Sequence, residues 1–488
     1  MSESMSGLKI EYSRPGVDRA EVKALLDRYR TDEPVHVVFI GTKPDIIKQY
    51  PVYKELVARG LQVAVCHSGQ HTDYAYSEGM LLEFGIDVDM RLVMGDGLNL
   101  GARVAALITT ANELFGAAGE TGHTLVPYIH GDTATSMGVA VAAYMNRVAC
   151  VHVEAGIRTM TPKREFLLNH FEAFERGEFD WASYLDGHRL EETYSLGSKE
   201  PFPEQFNTRV SDAASGFHAA PVELDRKFLL GEGFPSDSIA VVGNTVVDAT
   251  LAARDRAAFS RIFETFPQLQ TGEFIRVCIH RRENTNDRAR FTCYFDAIEK
   301  LLRKGHSILW VSLKGTEWAL SNWGLSSRLE SLAEEFPDNL IVTSVWPEYG
   351  DVIAALLKCA LLATDSGSMQ EEANTLGIPC VTLRFGTDRG ESLLAGGNVL
   401  APPLGADFVA EVIESAVLHR ADLRSRPVYG TDCAARLVDE VMARVRVGSG
   451  LFRSEEEVLR LPGSESNWPT DPERPLSGGL PSSSSPSR

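Results

Sequence analysis

The chain has 488 residues, of which 44% are hydrophobic and 24% charged, so the composition predicts a globular protein of two or three domains. Its formal net charge of −19 argues against nucleic acids and anionic membranes as partners, because both usually require a basic surface. The sequence contains no run of about 18 apolar residues, so it predicts no membrane span, and the polar start lacks the apolar core of a signal peptide. Together with seven scattered cysteines that lack CxxC spacing, these features predict a cytoplasmic protein with reduced thiols.

Short apolar, β-branched runs recur through the first part of the chain and predict buried parallel strands. They follow a charged, helical extension over residues 1–33 and are separated by helical patterns, of which 135–145 is the clearest. Strands that alternate with helices predict a parallel α/β sheet. The strands predicted for this first series are 35–41, 62–69, 124–131 and 148–156.

A stretch rich in charged and aromatic residues interrupts the alternation at about residues 160–201 and predicts an inserted helix pair or a lid. A second α/β series follows, so the sequence predicts a first domain over 34–222 and a second domain over 223–404. Helices are expected over 405–461, and the Ser-, Pro- and Gly-rich tail at 462–488 is expected to be disordered. The strands predicted for the second series are 238–244, 274–280, 307–313, 340–345, 361–367 and 379–384.

Polar residues concentrate at the carboxyl ends of the predicted strands, where open α/β sheets bind ligands. In GTKPDIIK (41–48), Lys43 and Lys48 follow the first strand and can meet an anion near a helix N-terminus. An ordinary loop between a strand and a helix, with solvated lysines, explains the same motif.

Two further strands of the first series end in ionisable residues. HGDT (130–133) brings His130 and Asp132 to a strand end before a helix, where the carboxylate either reacts or only caps the helix. HVEAGIRT (152–159) brings Glu154 and Arg158 to a similar position, either as reactive groups or as a strand-end ion pair.

In the second series, IHRREN (279–284) places His280 at a strand end beside two arginines. Guanidinium groups suit a diphosphate, although a lone histidine is more often structural. The Gly-x-Gly-x-x-Gly and Gly-x-x-x-x-Gly-Lys-Ser/Thr fingerprints are absent, and no His, Cys and Asp cluster has metal-ligand spacing. The sequence therefore predicts neither a nicotinamide cofactor nor a metal.

TDSGSMQEE (364–372) is the most informative of these motifs. Ser366, Gly367 and Ser368 open a helix after a strand, which aims backbone N–H groups and hydroxyls at a phosphate. Glu371 and Glu372 lie one turn further, where a carboxylate can accept hydrogen bonds from ribose hydroxyls. A serine that only caps a helix with acids in its first turns remains the alternative.

Taken together and in this order, the segments resemble the UDP-N-acetylglucosamine 2-epimerases. Each segment is weakly specific alone, but eight of them occur in order over roughly residues 35–400. The matching segments are GTKPDIIKQYPV, SGQHTDY, HGDTATSMGVAVAAY, VHVEAGIRT, PEQFN with SDAASGFHAAP, VVGNTVVDA, HRREN and TDSGSMQEEANTLGIPCVTLR.

The resemblance implies a glycosyltransferase-B-like arrangement of two Rossmann-like domains, with the active site in the cleft between them. It also implies a C-terminal helix, within 405–446, that closes back on the first domain. The implied mechanism needs no cofactor: anti elimination of UDP forms 2-acetamidoglucal, and UDP then adds again. The implied partner is a UDP-sugar substrate, and a homodimer of the family type is compatible with the resemblance.

The resemblance also implies roles for individual residues by motif position. The acid/base carboxylates, and the histidine tied to the diphosphate and to catalysis, are Asp132, Glu154, Glu204 and His280. The substrate-binding residues, which include the phosphate-binding turn and the ribose-binding carboxylate, are Lys43, Lys48, Arg282, Ser366, Gly367, Ser368, Glu372 and Arg384. Gln70 and His71 fall on a segment that, in bacterial members of the family, helps to bind a second, activating UDP-N-acetylglucosamine.

Several substrate-contact positions depart from the family pattern. The charged positions of Gly-Thr-Arg-Pro-Glu are Lys43 and Asp45 here, and lysine lacks the bidentate fork of arginine. Thr208 follows Pro-Glu-x-x-Asn where the family has arginine. SLKG (312–315) and DRGE (388–391) replace two further family motifs. These departures leave the exact sugar open.

Other functions stay open as well. A hydrolysing 2-epimerase shares the elimination but adds water in place of UDP, and so releases free N-acetylmannosamine and UDP. An epimerase for another UDP-2-acetamido sugar fits the same motifs. The presence of Asp132, Glu154 and Glu204 argues against a glycosyltransferase of the same fold. The substituted arginine positions leave a non-catalytic binder of UDP-sugars as a further, less favoured alternative.

Overall fold

The computed structural model describes residues 19–92, 94, 99–424 and 426–452, which contain two parallel β-sheets with helices packed against them. The predicted α/β class with two Rossmann-like halves is therefore confirmed. The tail predicted at 462–488 lies outside the described residues. Among the helices of the described ranges, none has the length and apolar character needed to cross a membrane.

The strands are numbered in chain order. They are β1 (Val35–Ile40), β2 (Gln62–His67), β3 (Met90–Arg91), β4 (Leu125–His130), β5 (Cys150–Val153), β6 (Thr161–Pro162), β7 (Tyr194–Ser195), β8 (Ser215–Ala220), β9 (Ile239–Val241), β10 (Phe274–Cys278), β11 (Ser307–Ser312), β12 (Leu340–Ser344), β13 (Leu361–Thr364), β14 (Cys380–Thr382) and β15 (Asn398–Leu400).

The α-helices are numbered in the same way. They are α1 (Arg19–Leu26), α2 (Lys43–Ala58), α3 (Gly79–Phe84), α4 (Leu100–Thr121), α5 (Ala134–Met145), α6 (Arg164–Glu175), α7 (Trp181–His188), α8 (Glu204–Ala213), α9 (Glu223–Gly231), α10 (Val246–Ala257), α11 (Ile262–Thr265), α12 (Arg282–Thr285), α13 (Arg288–Arg303), α14 (Lys314–Asn322), α15 (Ser326–Glu335), α16 (Tyr349–Lys358), α17 (Gly367–Leu376), α18 (Gly390–Leu394), α19 (Ala406–Leu418) and α20 (Cys433–Met442).

The first sheet has seven parallel strands in the order β3-β2-β1-β4-β5-β8-β9. Every residue of β1 and β4 is buried, as expected for central strands covered on both faces. Because β4 lies between β1 and β5, residues at the carboxyl ends of these three strands are spatial neighbours. The order of the strands therefore brings the first three predicted motifs together.

The second sheet has six parallel strands in the order β12-β11-β10-β13-β14-β15. A buried apolar cluster fills its helix-facing side and extends from Ile275 in β10 to Val399 in β15. Here β10 and β13 are central neighbours, so the motifs that follow these two strands also meet.

One strand belongs to a different sheet from the one predicted. The run at 238–244 was assigned to the second series, but β9 within it pairs with β8 in the first sheet. That assignment was wrong because a strand's composition predicts burial, whereas its partner depends on the path of the chain. The second series begins at Phe274, and the exact domain boundaries stay a prediction.

The predicted insertion forms the helix pair α6 and α7, flanked by the short antiparallel pair β6 and β7. Both helices pack against elements of the second half. The ring of Phe174 in α6 meets Phe408 of α19 at a centroid distance of 5.5 Å, and the Tyr184 hydroxyl in α7 donates to the Leu400 carbonyl at 2.7 Å. In sequence, the insertion lies between β5 and β8 of the first sheet, but its helices pack on the second half. It therefore connects the two sheets.

The predicted return of a C-terminal helix is confirmed. At the end of α2, Arg59 donates to the Asp439 carboxylate of α20 at 2.5 Å and to the Ala435 carbonyl at 3.2 Å. The chain thus crosses to the second sheet and comes back to the first.

Candidate active site

A buried lysine joins the carboxyl ends of the two sheets. Lys48 lies in α2, after β1, and its Nζ contacts both Glu154, after β5, and Glu371 in α17, after β13. Asn244, which follows β9, donates to the same two carboxylates at 2.7 Å and 3.1 Å. Arg389 of the loop after β14 contacts Glu371 and lies 3.5 Å from Glu154. Residues from five strand ends therefore form one buried polar cluster.

Glu154 is the centre of this cluster and has an unusual backbone. Its φ is +68°, a left-handed conformation that non-glycine residues seldom adopt outside functional sites. Burial opposes ionisation, but Lys48, Arg389 and His130 outweigh it and hold the pKa of Glu154 well below its usual range. The geometry therefore presents Glu154 as an ionised carboxylate.

A second carboxyl, Glu204, has the opposite tendency. It begins α8, where its Oε1 accepts a hydrogen bond from Arg281 at 3.1 Å. Burial raises the pKa of Glu204, and the charge of Asp132 adds to this effect, although Arg281 opposes it. Asp132 itself is half-buried, and its backbone carbonyl accepts from Asn207 at 2.9 Å. The site thus combines carboxyl groups with contrasting affinities for a proton, which general acid–base catalysis requires.

His280 follows β10 and is held by Asp365, which follows β13. The Nδ1 of His280 lies 3.2 Å from Oδ1 of Asp365, whose carboxylate also accepts from the backbone N–H groups of His280 and Arg281. Burial lowers the pKa of His280, but Asp365 and Cys278 overcome that effect and raise the pKa to about 10. The ring is therefore a fixed cation at neutral pH.

The predicted phosphate-binding turn faces two guanidinium groups. Ser366 precedes α17, and a methyl group at Gly367 would lie 3.3 Å from Cζ of Arg389 and 3.4 Å from Nη2 of Arg281. A helix N-terminus beside two arginines is an electropositive site for a diphosphate. Arg282, the arginine predicted for substrate binding, is instead exposed.

Lys43 and Glu372 lie near enough to each other to interact electrostatically. The Lys43 Nζ donates to the Trp346 carbonyl at 2.8 Å, and burial lowers the pKa of Lys43 to about 8. The carboxylate of Glu372 accepts from the Ser368 hydroxyl at 3.4 Å, and burial raises its pKa. Glu372 therefore flanks the phosphate turn, at a position compatible with the predicted ribose contact.

The remaining predicted residues lie further from the polar cluster. Arg384 is fully buried, and its guanidinium donates to Asp388 at 2.8 Å and lies 3.5 Å from Glu283, so it organises the loop after β14. Gln70 accepts from the backbone and hydroxyl of Thr135 at 3.0 Å and 2.8 Å. His71 meets the ring of Tyr76 at a centroid distance of 5.9 Å. The regulatory role of Gln70 and His71 stays a prediction.

The sequence analysis assigned no role to three residues of the site. Asn244 lies in the quoted segment VVGNTVVDA, and its position after a strand was the available signal. Arg281 precedes the residue that was chosen, and only the turn after β10 decides which guanidinium faces Gly367. Arg389 lies in the quoted segment DRGE, whose position in the family pattern was the available signal, although the loop has no periodicity.

A family model described as UDP-N-acetylglucosamine 2-epimerase matches residues 54–167 and 195–443, and the unmatched residues between them include all of α7 and most of α6. The UDP-N-acetylglucosamine 2-epimerase of Neisseria meningitidis is 25% identical over 420 residues, which cover 83% of this chain and 98% of that protein. A protein of the same name from Methanocaldococcus jannaschii is 26% identical over 372 residues, or 74% and 87% of the two chains.

Solved structures show the same fold. The M. jannaschii UDP-GlcNAc 2-epimerase in complex with UDP-GlcNAc and UDP matches with a TM-score of 0.67 at 22% identity, covering 84% of this chain and 99% of that one. The N. meningitidis UDP-GlcNAc 2-epimerase bound to UDP-GlcNAc matches with a TM-score of 0.66 at 24% identity, covering 84% and 99%. The predicted architecture is therefore confirmed at the level of the fold.

Proposed function

Because the chain belongs to the UDP-N-acetylglucosamine 2-epimerase family, we propose that it inverts carbon 2 of UDP-N-acetylglucosamine and so interconverts this nucleotide sugar with UDP-N-acetylmannosamine. The observation that carries the proposal is that the two arginines at the N-terminus of α17 also contact Glu204 and Glu154, while His280 is held by Asp365 just before that helix. Carboxyl groups suit proton transfer at C2, and the cations suit a departing diphosphate.

The first chemical step is an elimination. A carboxylate takes the C2 proton, the electron pair of the C2–H bond forms the C1–C2 double bond, and the C1–O bond breaks so that its electrons leave with UDP. The products are 2-acetamidoglucal and UDP. We assign the base to Glu154, since it is the ionised carboxylate of the site.

The second step reverses the first on the other face of the sugar. UDP adds to C1, and an acid delivers a proton to C2 from the opposite side. We assign this acid to Glu204, whose raised pKa favours its protonated form, with Asp132 as the neighbouring carboxylate that contributes to the shift. Two acid/base groups are needed because a single group reaches only one face of C2.

The leaving diphosphate accumulates negative charge in the transition state. Arg281 and Arg389 converge on the turn at Gly367, and His280 is held by Asp365, two residues before that turn. These cations and the backbone N–H groups of α17 can stabilise the charge without reorganising. In this role Arg281 replaces the predicted Arg282, whose side chain is exposed.

Deuterium incorporation tests the proposal directly. The purified protein is incubated with UDP-N-acetylglucosamine in D₂O and followed by proton NMR. We expect deuterium at C2 and the appearance of UDP-N-acetylmannosamine. Free N-acetylmannosamine with UDP would instead establish the hydrolysing reaction, and exchange with a different UDP-2-acetamido sugar alone would establish a related epimerase.

A catalytically silent protein is the remaining outcome. If no UDP-2-acetamido sugar exchanges its C2 proton, while UDP still binds in calorimetry, the chain is a UDP-sugar binder and the proposed catalysis is wrong. We further propose a homodimer of the family type and a cytoplasmic location, the latter in keeping with seven free cysteines. Size-exclusion chromatography with light scattering tests the dimer, and cell fractionation tests the location.

A further inference from the structure

Three side chains form a line across neighbouring strands of the first sheet. Asp45 lies in the first turn of α2 after β1, His130 ends β4, and Glu154 follows β5. The strand order β1-β4-β5 puts His130 in the middle. Its Nδ1 lies 3.0 Å from Oδ1 of Asp45, and its Nε2 lies 3.2 Å from Oε2 of Glu154. All three side chains are at most 3% exposed.

Both ends of this line are fixed by backbone features. The Oδ2 of Asp45 accepts from the Thr42 N–H at 3.0 Å, and the Thr42 hydroxyl accepts from the Asp45 N–H at 3.3 Å, so a capping box holds the carboxylate. At the other end, a methyl group on Gly131 would lie 3.0 Å from Oε2 of Glu154. Gly131 therefore leaves room for this carboxylate oxygen beside the imidazole.

The two oxygens of Glu154 have separate partners. Lys48 and Asn244 contact Oε1, whereas His130 and the more distant Arg389 approach Oε2. An imidazole fixed by a second carboxylate restricts both the rotation and the charge of the group it touches, as in other carboxylate–histidine pairs. Removing His130 would leave Oε2 with Arg389 at 3.5 Å as its cationic neighbour.

We infer that the Asp45–His130 pair is a positioning element of the reaction, which orients Oε2 of Glu154 and keeps this carboxylate ionised for proton transfer. The inference rests on the proposed function, since it assigns the pair a role in the step that Glu154 performs. His130 acts through Glu154 and is not itself a catalytic residue.

The surrounding charges support this role. Burial lowers the pKa of His130, but Glu154 and Asp45 overcome that effect and raise it to about 9, against the opposing charge of Lys48. The pair therefore carries a proton at neutral pH and supplies a positive charge to Glu154. On the far side of Asp45, His71 is near enough to interact with its carboxylate.

Two variants separate charge from shape. His130→Gln removes the charge, and Asp45→Asn keeps an oxygen for the Thr42 N–H but removes the partner of the imidazole. For both we expect kcat to fall at least tenfold with KM changed less than threefold, and the acid limb of the pH profile of kcat/KM to move upward by about one unit. Asp45→Glu keeps a carboxylate at this position, so the acid limb of its kcat/KM profile should lie close to that of the wild-type protein.

A matched control and an activity-free measurement complete the test. His36→Gln alters another buried histidine of the first sheet, bonded to the Tyr128 hydroxyl at 2.9 Å, and should leave the acid limb unchanged. Independently, NMR titration of labelled histidine, with His130 assigned by its substitution, should give a pKa well above that of a free imidazole. Asp45→Asn and Glu154→Gln should each lower this pKa by at least one unit.

The outcomes distinguish the two proposals. An unchanged acid limb in His130→Gln, or a His130 pKa that ignores Glu154→Gln, would overturn the positioning role even in an active epimerase. If the wild-type protein turns over no nucleotide sugar, the proposed function fails, whereas the NMR titration still decides whether His130 and Glu154 are coupled. A kcat loss that is equal at every pH would reduce the pair to a structural role and also overturn the inference.

Discussion

Lys48 and Glu371 form a buried contact between the two halves of the protein, with Nζ of Lys48 2.5 Å from Oε2 of Glu371. The same ammonium contacts Glu154, so one lysine serves two carboxylates that come from different sheets. All three side chains are at most 3% exposed. Lys48 therefore joins the two halves through buried ionisable groups.

Replacing this lysine should destabilise the fold. Lys48→Met leaves the ionised Glu154 buried without its nearest cation and removes the partner of Glu371, so the free energy of unfolding should fall by about 3–5 kcal/mol. Urea denaturation measures the loss. Lys54→Met, an exposed lysine of the same helix, is the control and should change the free energy by less than about 0.5 kcal/mol.

The pH dependence of stability should report Glu371. Burial raises the pKa of Glu371 to about 8, with a contribution from Glu154 and against Arg389 and Lys48. In the unfolded chain this carboxyl group ionises near its ordinary pKa of 4.5, so folding binds a proton between these two values and stability falls as the pH rises from 4.5 to 8. The slope from this group is at most about 1.4 kcal/mol per pH unit. Denaturation at several pH values should show that the free energy of unfolding depends less on pH in Glu371→Gln than in the wild-type protein. The same pH dependence in both proteins would contradict the raised pKa of Glu371.

The two adjacent arginines of the second half provide a matched pair for the diphosphate site. Arg281 faces Gly367 and bonds Glu204, whereas Arg282 is exposed. Arg281→Ala should lower kcat/KM about 100-fold, or about 2.7 kcal/mol, because it removes a buried cation from the leaving group. Arg282→Ala should change it less than about threefold. Calorimetry with UDP measures the contribution of binding. An equal loss of kcat/KM in both variants would contradict the assignment of the diphosphate contact to Arg281 rather than Arg282.

The chain after Glu154 should tolerate no side chain at Gly156. Gly156 has φ +84°, and a methyl group there would lie 2.6 Å from the Asp225 carbonyl. Gly156→Ala combines backbone strain with this collision and should cost about 3–5 kcal/mol in thermal or chemical denaturation. Gly60 has φ +70° with nothing within 4 Å of the added methyl group, so Gly60→Ala isolates the strain and should cost about 1 kcal/mol. Similar losses at both positions would show that the collision is relieved.

The inserted helices should contribute to stability through α7. Tyr184 is fully buried and its hydroxyl donates to the Leu400 carbonyl, which lies in the second half. Tyr184→Phe removes this donor and should lower the free energy of unfolding by about 1–3 kcal/mol. Tyr74, which is 60% exposed, is the control, and Tyr74→Phe should have no measurable effect. An unaffected Tyr184→Phe would indicate that the insertion is not anchored there.

Local sequence patterns were sufficient to predict much of the architecture. Apolar runs ending in polar residues predicted β1, β2, β4 and β5, because burial on both faces demands such runs wherever the strand lies. Strands β3, β6, β7 and β15 were missed because each has only two or three residues. Strand β8 was missed because its sequence, SGFHAA, has no continuous run of large apolar residues. The sheet to which β9 belongs was also assigned wrongly.

The candidate site, like the fold, was predictable from local sequence only in part. The sequence by itself determined that Lys48, Asp132, Glu154, His280 and Ser366 follow strands, since each lies a few residues beyond a recognisable apolar run. The tertiary structure alone decided which of these groups meet. The contacts of Arg389 with Glu154 and of Asn244 with Glu371 join residues 235 and 127 positions apart. Such contacts depend on strand order and on the approach of two sheets, and neither is encoded in the spacing of neighbouring residues.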